Sequence, residues 1–157
     1  MAYTLLLGIL ISILPIAELR GGIPFLIANG VDPLLAFLVC TAANIIVIPL
    51  AFVFLDYSHS GLLHFSAYKK TFAFFLQRVH KKEKQMKVGM ERYGLLALAI
   101  FVAIPLPGTG AYTGVLIAWM LGIEKKKAAA FIAAGVLVAG IIVTLASLGI
   151  ITFLKFF

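Results

Sequence analysis

An acid and an arginine lie close together in the stretch PIAELRGGIPF, inside an otherwise apolar part of the chain. Glu18 and Arg20 are two residues apart, and side chains at that spacing do not face each other on a continuous helix. The pair can meet only where the helix is interrupted, and we predict that Gly21, Gly22 and Pro24 interrupt it. Because proline suits the first turn of a helix, we expect a half-helix to start near Pro24, with its positive end aimed at Arg20.

Two kinds of chemistry fit this pair. An arginine beside the N-terminus of a half-helix would bind an anion, because both present positive charge and N–H donors. A carboxyl group at membrane depth can take up a proton and carry it across, which would give Glu18 a proton-coupling role. The alternative is that Glu18 is a permanent ion-pair partner that only holds Arg20. The sequence leaves these two interpretations of Glu18 open.

A second interruption, PLPGTG, predicts the start of another half-helix further along the chain. Its prolines stop one helical arm and its glycines turn the backbone, and Thr109 is a candidate N-cap for a half-helix from about Ala111 to Leu121. Two half-helix N-termini and one arginine would together form an anion site inside the membrane. A purely structural hairpin would carry the same residue types. The predicted substrate-binding residues are Glu18, Arg20, Gly21, Gly22, Pro24, Pro105, Pro107, Gly108, Thr109 and Gly110.

The elements that position these residues belong to an integral membrane protein. Of the 157 residues 63% are hydrophobic and 12% are charged, whereas soluble domains have about 45–50% apolar and about 25% charged residues. Two apolar runs, 33–55 and 128–154, are long enough to cross a hydrocarbon core of about 30 Å. We predict a single all-α membrane domain in which both runs are transmembrane helices.

The other two apolar regions, 2–31 and 94–123, are each interrupted, so each is either a kinked span or a re-entrant hairpin. Lys and Arg number 13, of which eight lie between Lys69 and Arg92 and three more form 125–127. Short loops on the cytoplasmic side of a membrane collect such residues. If all four regions span, the two clusters fall on opposite faces of the membrane, whereas the topology with two hairpins puts both on one face. We therefore predict an inverted repeat of hairpin plus long helix, in a multi-pass protein of the plasma membrane.

The segment 56–93 joins the two halves and is polar and basic. Its apolar residues recur at helical spacing, which indicates an amphipathic helix lying in the cytoplasmic interface or packed on the bundle. Membrane lipids are therefore the expected partners of its basic residues, and nucleic acid is not. Gly135 and Ala139 would allow close helix packing, either inside the protomer or in a homodimer.

Sites of other kinds are poorly represented in the chain. His59, His64 and His80 lack the spacing of a metal pair, and no nucleotide-binding or nucleophile motif is present. We therefore expect no metal, no cofactor and no enzymatic activity. Asn44 is interpreted as an interhelical hydrogen-bond former rather than a ligand, and Trp119 as an interfacial anchor.

Two stretches resemble the small multidrug export family: AELRGGIP, and AIPLPGTGAYTGVLIAWMLGI together with the preceding Glu91, Tyr93 and Gly94. That family in turn resembles the DedA superfamily (SNARE-associated, VTT) of membrane proteins. The resemblance covers nearly the whole chain and implies two re-entrant hairpins in inverted repeat. DedA relatives are implicated in translocating undecaprenyl phosphate and other lipids, often with dependence on the proton gradient.

Carried over by residue, the resemblance matches Glu18 to the acid of the first motif, and Pro107 with Gly108 to the Pro-Gly of the second. DedA proteins usually bear arginines flanking that Pro-Gly, where this chain has Ile104 and Gly110. The leading hypothesis is a transporter of an anionic lipid such as undecaprenyl or polyprenyl phosphate. In this hypothesis Glu18 would couple transport to protons. The alternatives are a small exporter of drugs or cations, and a scaffold that recruits a cytoplasmic partner through its basic loop.

Overall fold

The protein is all-helical throughout the part that the computed structural model describes, which comprises residues 2–62, 90–106 and 108–156. Within these ranges the helices follow the order short, short, long, and this order occurs twice. In chain order they are α1 (Ala2–Ile13), α2 (Glu18–Ala28), α3 (Pro33–Leu62), α4 (Met90–Ala103), α5 (Ala111–Met120) and α6 (Lys125–Phe156). The predicted all-α class is confirmed for the described residues.

The two long helices contain the two predicted spans. Pro33–Tyr57 and Lys125–Ile150 each have a mean hydropathy of 2.5 and are long enough to cross a membrane. They run antiparallel: Lys125 at the start of α6 contacts Asp56 late in α3, and Gly140 farther along α6 lies against Thr41 early in α3. This arrangement brings the start of α6 beside the part of α3 from which the basic segment follows.

The first break lies earlier than the sequence suggested. The chain turns at 14–17, and α2 already begins at Glu18 and runs through Pro24 without ending. The prediction of a half-helix starting near Pro24 is therefore wrong. Proline removes only one hydrogen bond of a helix, the one to the carbonyl of Arg20. Packing of α2 on its neighbours is sufficient to keep the rest of the helix continuous.

Gly21 and Gly22 serve this packing instead of interrupting the helix. A Cβ on Gly21 would stand 2.9 Å from Ile11 of α1, and one on Gly22 would stand 2.8 Å from the carbonyl oxygen of Gly8. Later residues of α2 thus meet earlier residues of α1, since a Cβ on Gly8 would collide with Leu26. The first two helices therefore form an antiparallel hairpin with closely approaching backbones.

Each short helix is too short to cross a membrane alone. They contain 12, 11, 14 and 10 residues, so the longest is about 21 Å. The predicted second half-helix is confirmed, because α5 covers Ala111–Met120. Whether the hairpins are re-entrant in a membrane stays a prediction, and most of the segment 56–93 lies outside the described residues.

The turns that follow α2 and α5 have the same construction. Each contains a glycine with positive φ, +79° at Gly30 and +67° at Gly122. In each, the next residue donates its N–H to a carbonyl five residues earlier, at 3.0 Å from Val31 to Leu26 and from Ile123 to Ala118. This is the hydrogen-bond pattern of a Schellman motif, in which glycine adopts the left-handed conformation at no steric cost. The two turns lie 92 positions apart in the sequence.

Candidate functional site

The side chain of Glu18 reaches across from the first hairpin to the second. Its carboxylate occupies the space that a side chain at position 110 would fill, so that a Cβ on Gly110 would overlap it. The backbone N–H groups of Ala111 and Tyr112, in the first turn of α5, donate hydrogen bonds to this carboxylate. Glu18 is itself only 6% exposed. The anion at the N-terminus of α5 is therefore part of the protein, and it balances the positive end of that helix.

Arg20 supplies the second compensating charge. Its Nη2 lies 3.6 Å from Oε2 of Glu18, which is an ion pair slightly beyond hydrogen-bonding distance. Two residues so close in sequence can meet because Glu18 is the first residue of α2 and has a φ of +46°. A non-glycine residue in that conformation costs of order 1–3 kcal/mol and is typical of functional sites. The predicted need for an interrupted helix is thus met by the turn at 14–17.

The C-terminal end of α1 is held by side chains from two other helices. The hydroxyl of Tyr112 on α5 donates to the carbonyl of Ile13, the last residue of α1. The amide of Asn44 on α3 donates to the carbonyl of Ser12 at 3.0 Å and to that of Cys40 at 3.2 Å. The bonds to Ile13 and Ser12 satisfy carbonyls that the end of α1 leaves without partners, whereas Cys40 lies within α3. The interpretation of Asn44 as an interhelical hydrogen-bond former is confirmed.

A small cavity lies beside Glu18 where the two hairpins and the long helices meet. Its volume is about 10 Å³, which is enough for about one water molecule. Most of its walls are apolar. The lining residues are Glu18, Leu19, Arg20, Asn44, Val102, Gly110, Ala111, Val136, Ala139 and Val143.

A larger groove opens from the other side of Arg20, between α2 and α6, and we call it the α2–α6 groove. Its volume is about 350 Å³, comparable with the sites of small ligands. Arg20 and Val143 line both this groove and the small cavity, so they separate the two. The groove is lined by Arg20, Pro24, Ala28, Pro105, Ile142, Val143, Ala146, Ser147 and Ile150. Arg20 is the charged residue among them.

The predicted site residues are thus distributed over distinct places. Glu18, Arg20 and Gly110 meet at the cavity, whereas Pro24 and Pro105 line the groove beside Arg20. Gly21 and Gly22 lie at the contact between α1 and α2, as described above. Gly108 is exposed and has a φ of +87°, and Pro107 lies outside the described residues.

Thr109 closes the second break but does not cap α5. Its hydroxyl donates towards the carbonyls of Ile104 and Leu106, at 2.6 and 2.8 Å, and accepts from the N–H of Leu106 at 3.2 Å. The N-cap residue is Gly110, which makes no side-chain hydrogen bond. The prediction of Thr109 as N-cap is therefore wrong. The physical reason is that Glu18, from the other hairpin, already accepts from the free amides of α5.

Sequence reasoning did not identify two residues whose side chains join different helices, Tyr112 and Asp56. Tyr112 had no signal beyond its place in the family-like stretch, and Asp56 was included only in the polar connecting segment. Asp56 accepts hydrogen bonds from Nε1 of Trp119, at 3.0 Å, and from Lys125. Trp119 therefore has a specific polar partner, and its predicted role as an interfacial anchor remains untested.

Together, two long apolar helices and paired short helices around a partly buried ion pair indicate a helical membrane protein. Residues 18–142 match the model of one family, described as "Putative small multi-drug export protein". The match covers well over half of the chain, and the protein belongs to that family, whose description is that of membrane transporters. No match was found among curated proteins, and none among solved structures. The resemblance to the DedA superfamily stays a prediction.

Proposed function

We propose that this protein is a membrane transporter for an amphipathic anion, whose charged head binds at Arg20 while its apolar part lies in the α2–α6 groove. The observation that carries the proposal is the lining of that groove. Its walls are almost entirely apolar, and Arg20 is the one formal charge among the lining residues. A guanidinium group pairs readily with phosphate or carboxylate through two parallel hydrogen bonds.

The charge balance at Glu18 favours an anion over a cation as the substrate. The carboxylate already accepts hydrogen bonds from two backbone amides and lies near Arg20. A cationic drug would have to displace Arg20 and compete with both amides. An anion needs only Arg20 to turn from Glu18 towards the groove. The 3.6 Å separation between Nη2 and the carboxylate means that no short hydrogen bond joins these two atoms.

Polyprenyl phosphate is the member of this substrate class that we propose first. Its phosphate is a strong acceptor for Arg20, and its long apolar tail could leave the groove sideways into the bilayer. The shape of the groove supports this choice, because the groove is open along the bundle surface. Protonation of Glu18 would release Arg20 for the phosphate, so that a proton gradient could drive the step.

The experiment uses purified protein in proteoliposomes with labelled polyprenyl phosphate and an imposed pH gradient. We compare the wild type with Arg20→Ala, Arg20→Lys and the control Lys126→Ala, which removes an exposed cation from the start of α6. We expect the wild type and the control to move the lipid, Arg20→Ala to be inactive, and Arg20→Lys to retain part of the rate. Equal rates in wild type and Arg20→Ala would refute the role of Arg20. Transport of a cationic dye but not of the lipid would identify the cation exporter instead.

A further inference from the structure

Residues 92 positions apart meet at the small cavity. Glu18 and Gly110 are in contact there, and two more pairs with the same separation, Leu19 with Ala111 and Asn44 with Val136, line the same cavity. The Schellman turns after α2 and α5 have this separation as well. In a structure with two-fold pseudosymmetry, a residue meets its counterpart only close to the axis. The cavity therefore marks the position of such an axis.

The course of the long helices agrees with this axis. A two-fold axis that passes between α3 and α6, perpendicular to both, requires them to run antiparallel. Lys125 contacts Asp56, and 15 residues later Gly140 lies against Thr41, which precedes Asp56 by 15 residues. The two halves of the chain are thus arranged as an inverted repeat would be.

Pseudosymmetry gives the α2–α6 groove a counterpart between α3 and α5. Moving its lining residues by 92 positions defines this counterpart, which we call the α3–α5 seam. Its members include Ile13, Leu50, Ala51, Tyr112, Leu116 and Met120. Tyr112 takes the place that Arg20 has in the groove, and Ala51 takes that of Val143. The groove and the seam thus occupy corresponding positions in the two halves of the chain but carry different side chains.

Side-chain hydrogen bonds lie at both ends of the α3–α5 seam, and the bond between Trp119 and Asp56 joins α5 to α3. Tyr112 reaches the carbonyl of Ile13 at one end of the seam. At the other end, Asp56 of α3 accepts from Trp119 of α5 and from Lys125 of α6. The positions that correspond to Trp119 and Asp56 on the groove side are Ile27 and Leu148. Those two side chains are apolar and cannot form an equivalent polar bridge.

We infer that the α2–α6 groove and the α3–α5 seam are two alternative access routes to the central cavity, and that the cluster of Asp56, Trp119 and Lys125 latches the second route shut. Exchange of conformation between the two halves would close the groove and open the seam, which is how inverted repeats produce alternating access. The inference rests on the proposed transport function only in treating the groove as a substrate route. The basic segment follows α3 beside this latch, so the positive-inside rule assigns the latched side to the cytoplasm.

The test measures how fast single cysteines react, without any substrate. The native cysteine, Cys40, is fully buried and is removed by the substitution Cys40→Ala. Into this background we introduce one new cysteine, either Val143→Cys in the groove or Ala51→Cys in the seam. Each protein, in detergent micelles, is treated with N-ethylmaleimide, and alkylation is followed by intact-mass spectrometry. Latch variants Asp56→Asn and Trp119→Phe are compared with Lys126→Gln, which changes an exposed neighbour of the latch.

We expect both latch variants to make residue 51 react faster and residue 143 react slower. Since hydrogen bonds to a charged group are lost, the ratio of the two rates should shift by about tenfold. The Lys126→Gln control should leave that ratio unchanged. Rates that rise together would indicate general loosening, and unchanged rates would indicate that the cluster is not a latch. Either result overturns the inference, whatever the outcome of the lipid transport assay.

Discussion

The carboxylate of Glu18 lies in the space where a side chain on Gly110 would be, and it binds the first amides of the helix that Gly110 caps. The two residues belong to different hairpins and are 92 positions apart. The contact therefore connects the halves of the protein at one point. It also explains why position 110 has no room for a side chain.

The variant Gly110→Ala tests this contact directly. Its methyl group would overlap the carboxylate of Glu18, which must then move away from the amides of α5. Overpacking of a buried site costs about 1–3 kcal/mol, so we expect a clearly lower free energy of unfolding in detergent micelles. The control is Gly94→Ala, because a Cβ on Gly94 meets nothing within 4 Å. Equal stabilities of the two variants would contradict the described contact.

The variant Glu18→Gln separates the two interpretations of Glu18. Glutamine keeps an acceptor for the amides of Ala111 and Tyr112 but can neither ionise nor carry a proton. If Glu18 couples transport to protons, the variant should lose the acceleration that an imposed pH gradient gives the wild type, while the protein stays folded. The measurement is the initial rate of lipid movement with and without the gradient. An acceleration as large as that of the wild type would leave Glu18 as the permanent partner of Arg20.

The variant Tyr112→Phe removes the hydroxyl group that holds the end of α1 and keeps the aromatic ring. One hydrogen bond contributes about 0.5–1.5 kcal/mol to stability, and the carbonyl of Ile13 loses its partner on α5. We expect a decrease of that size in the free energy of unfolding. Tyr93→Phe is the matched control, since Tyr93 is 73% exposed. The hydrogen bond contributes nothing if both variants unfold at the same temperature.

The variants Gly30→Ala and Gly122→Ala compare the two Schellman turns. Each glycine has a positive φ and free space around it, so that alanine would add backbone strain but no collision. The left-handed conformation costs an L-residue about 1–2 kcal/mol. We expect similar losses of stability in both variants, measured as shifts in Tm against Gly94→Ala. A loss in only one of them would show that the two turns are not equivalent.

The sequence alone was sufficient to predict the helical class, both long helices and the second half-helix. These properties depend on local composition, namely long apolar runs and the proline and glycine residues that bound them. The same local reasoning predicted the start of α2 wrongly, because it treated Pro24 and its neighbouring glycines as a break. Gly21 and Gly22 instead pack on α1, and proline removes only a single hydrogen bond of the helix.

For the site, the sequence indicated Glu18 and Arg20 because charge is rare and costly in an apolar chain. It also indicated that Asn44 bonds to another helix, as it does. It could not indicate that Glu18 binds the N-terminus of α5, or that Tyr112 holds the end of α1. Those contacts join residues about 90–100 positions apart, and only the packing of one hairpin on the other brings them within hydrogen-bonding distance. The types of residue in the sequence therefore determined which charged and polar groups needed partners. The tertiary structure decided which distant residues are those partners.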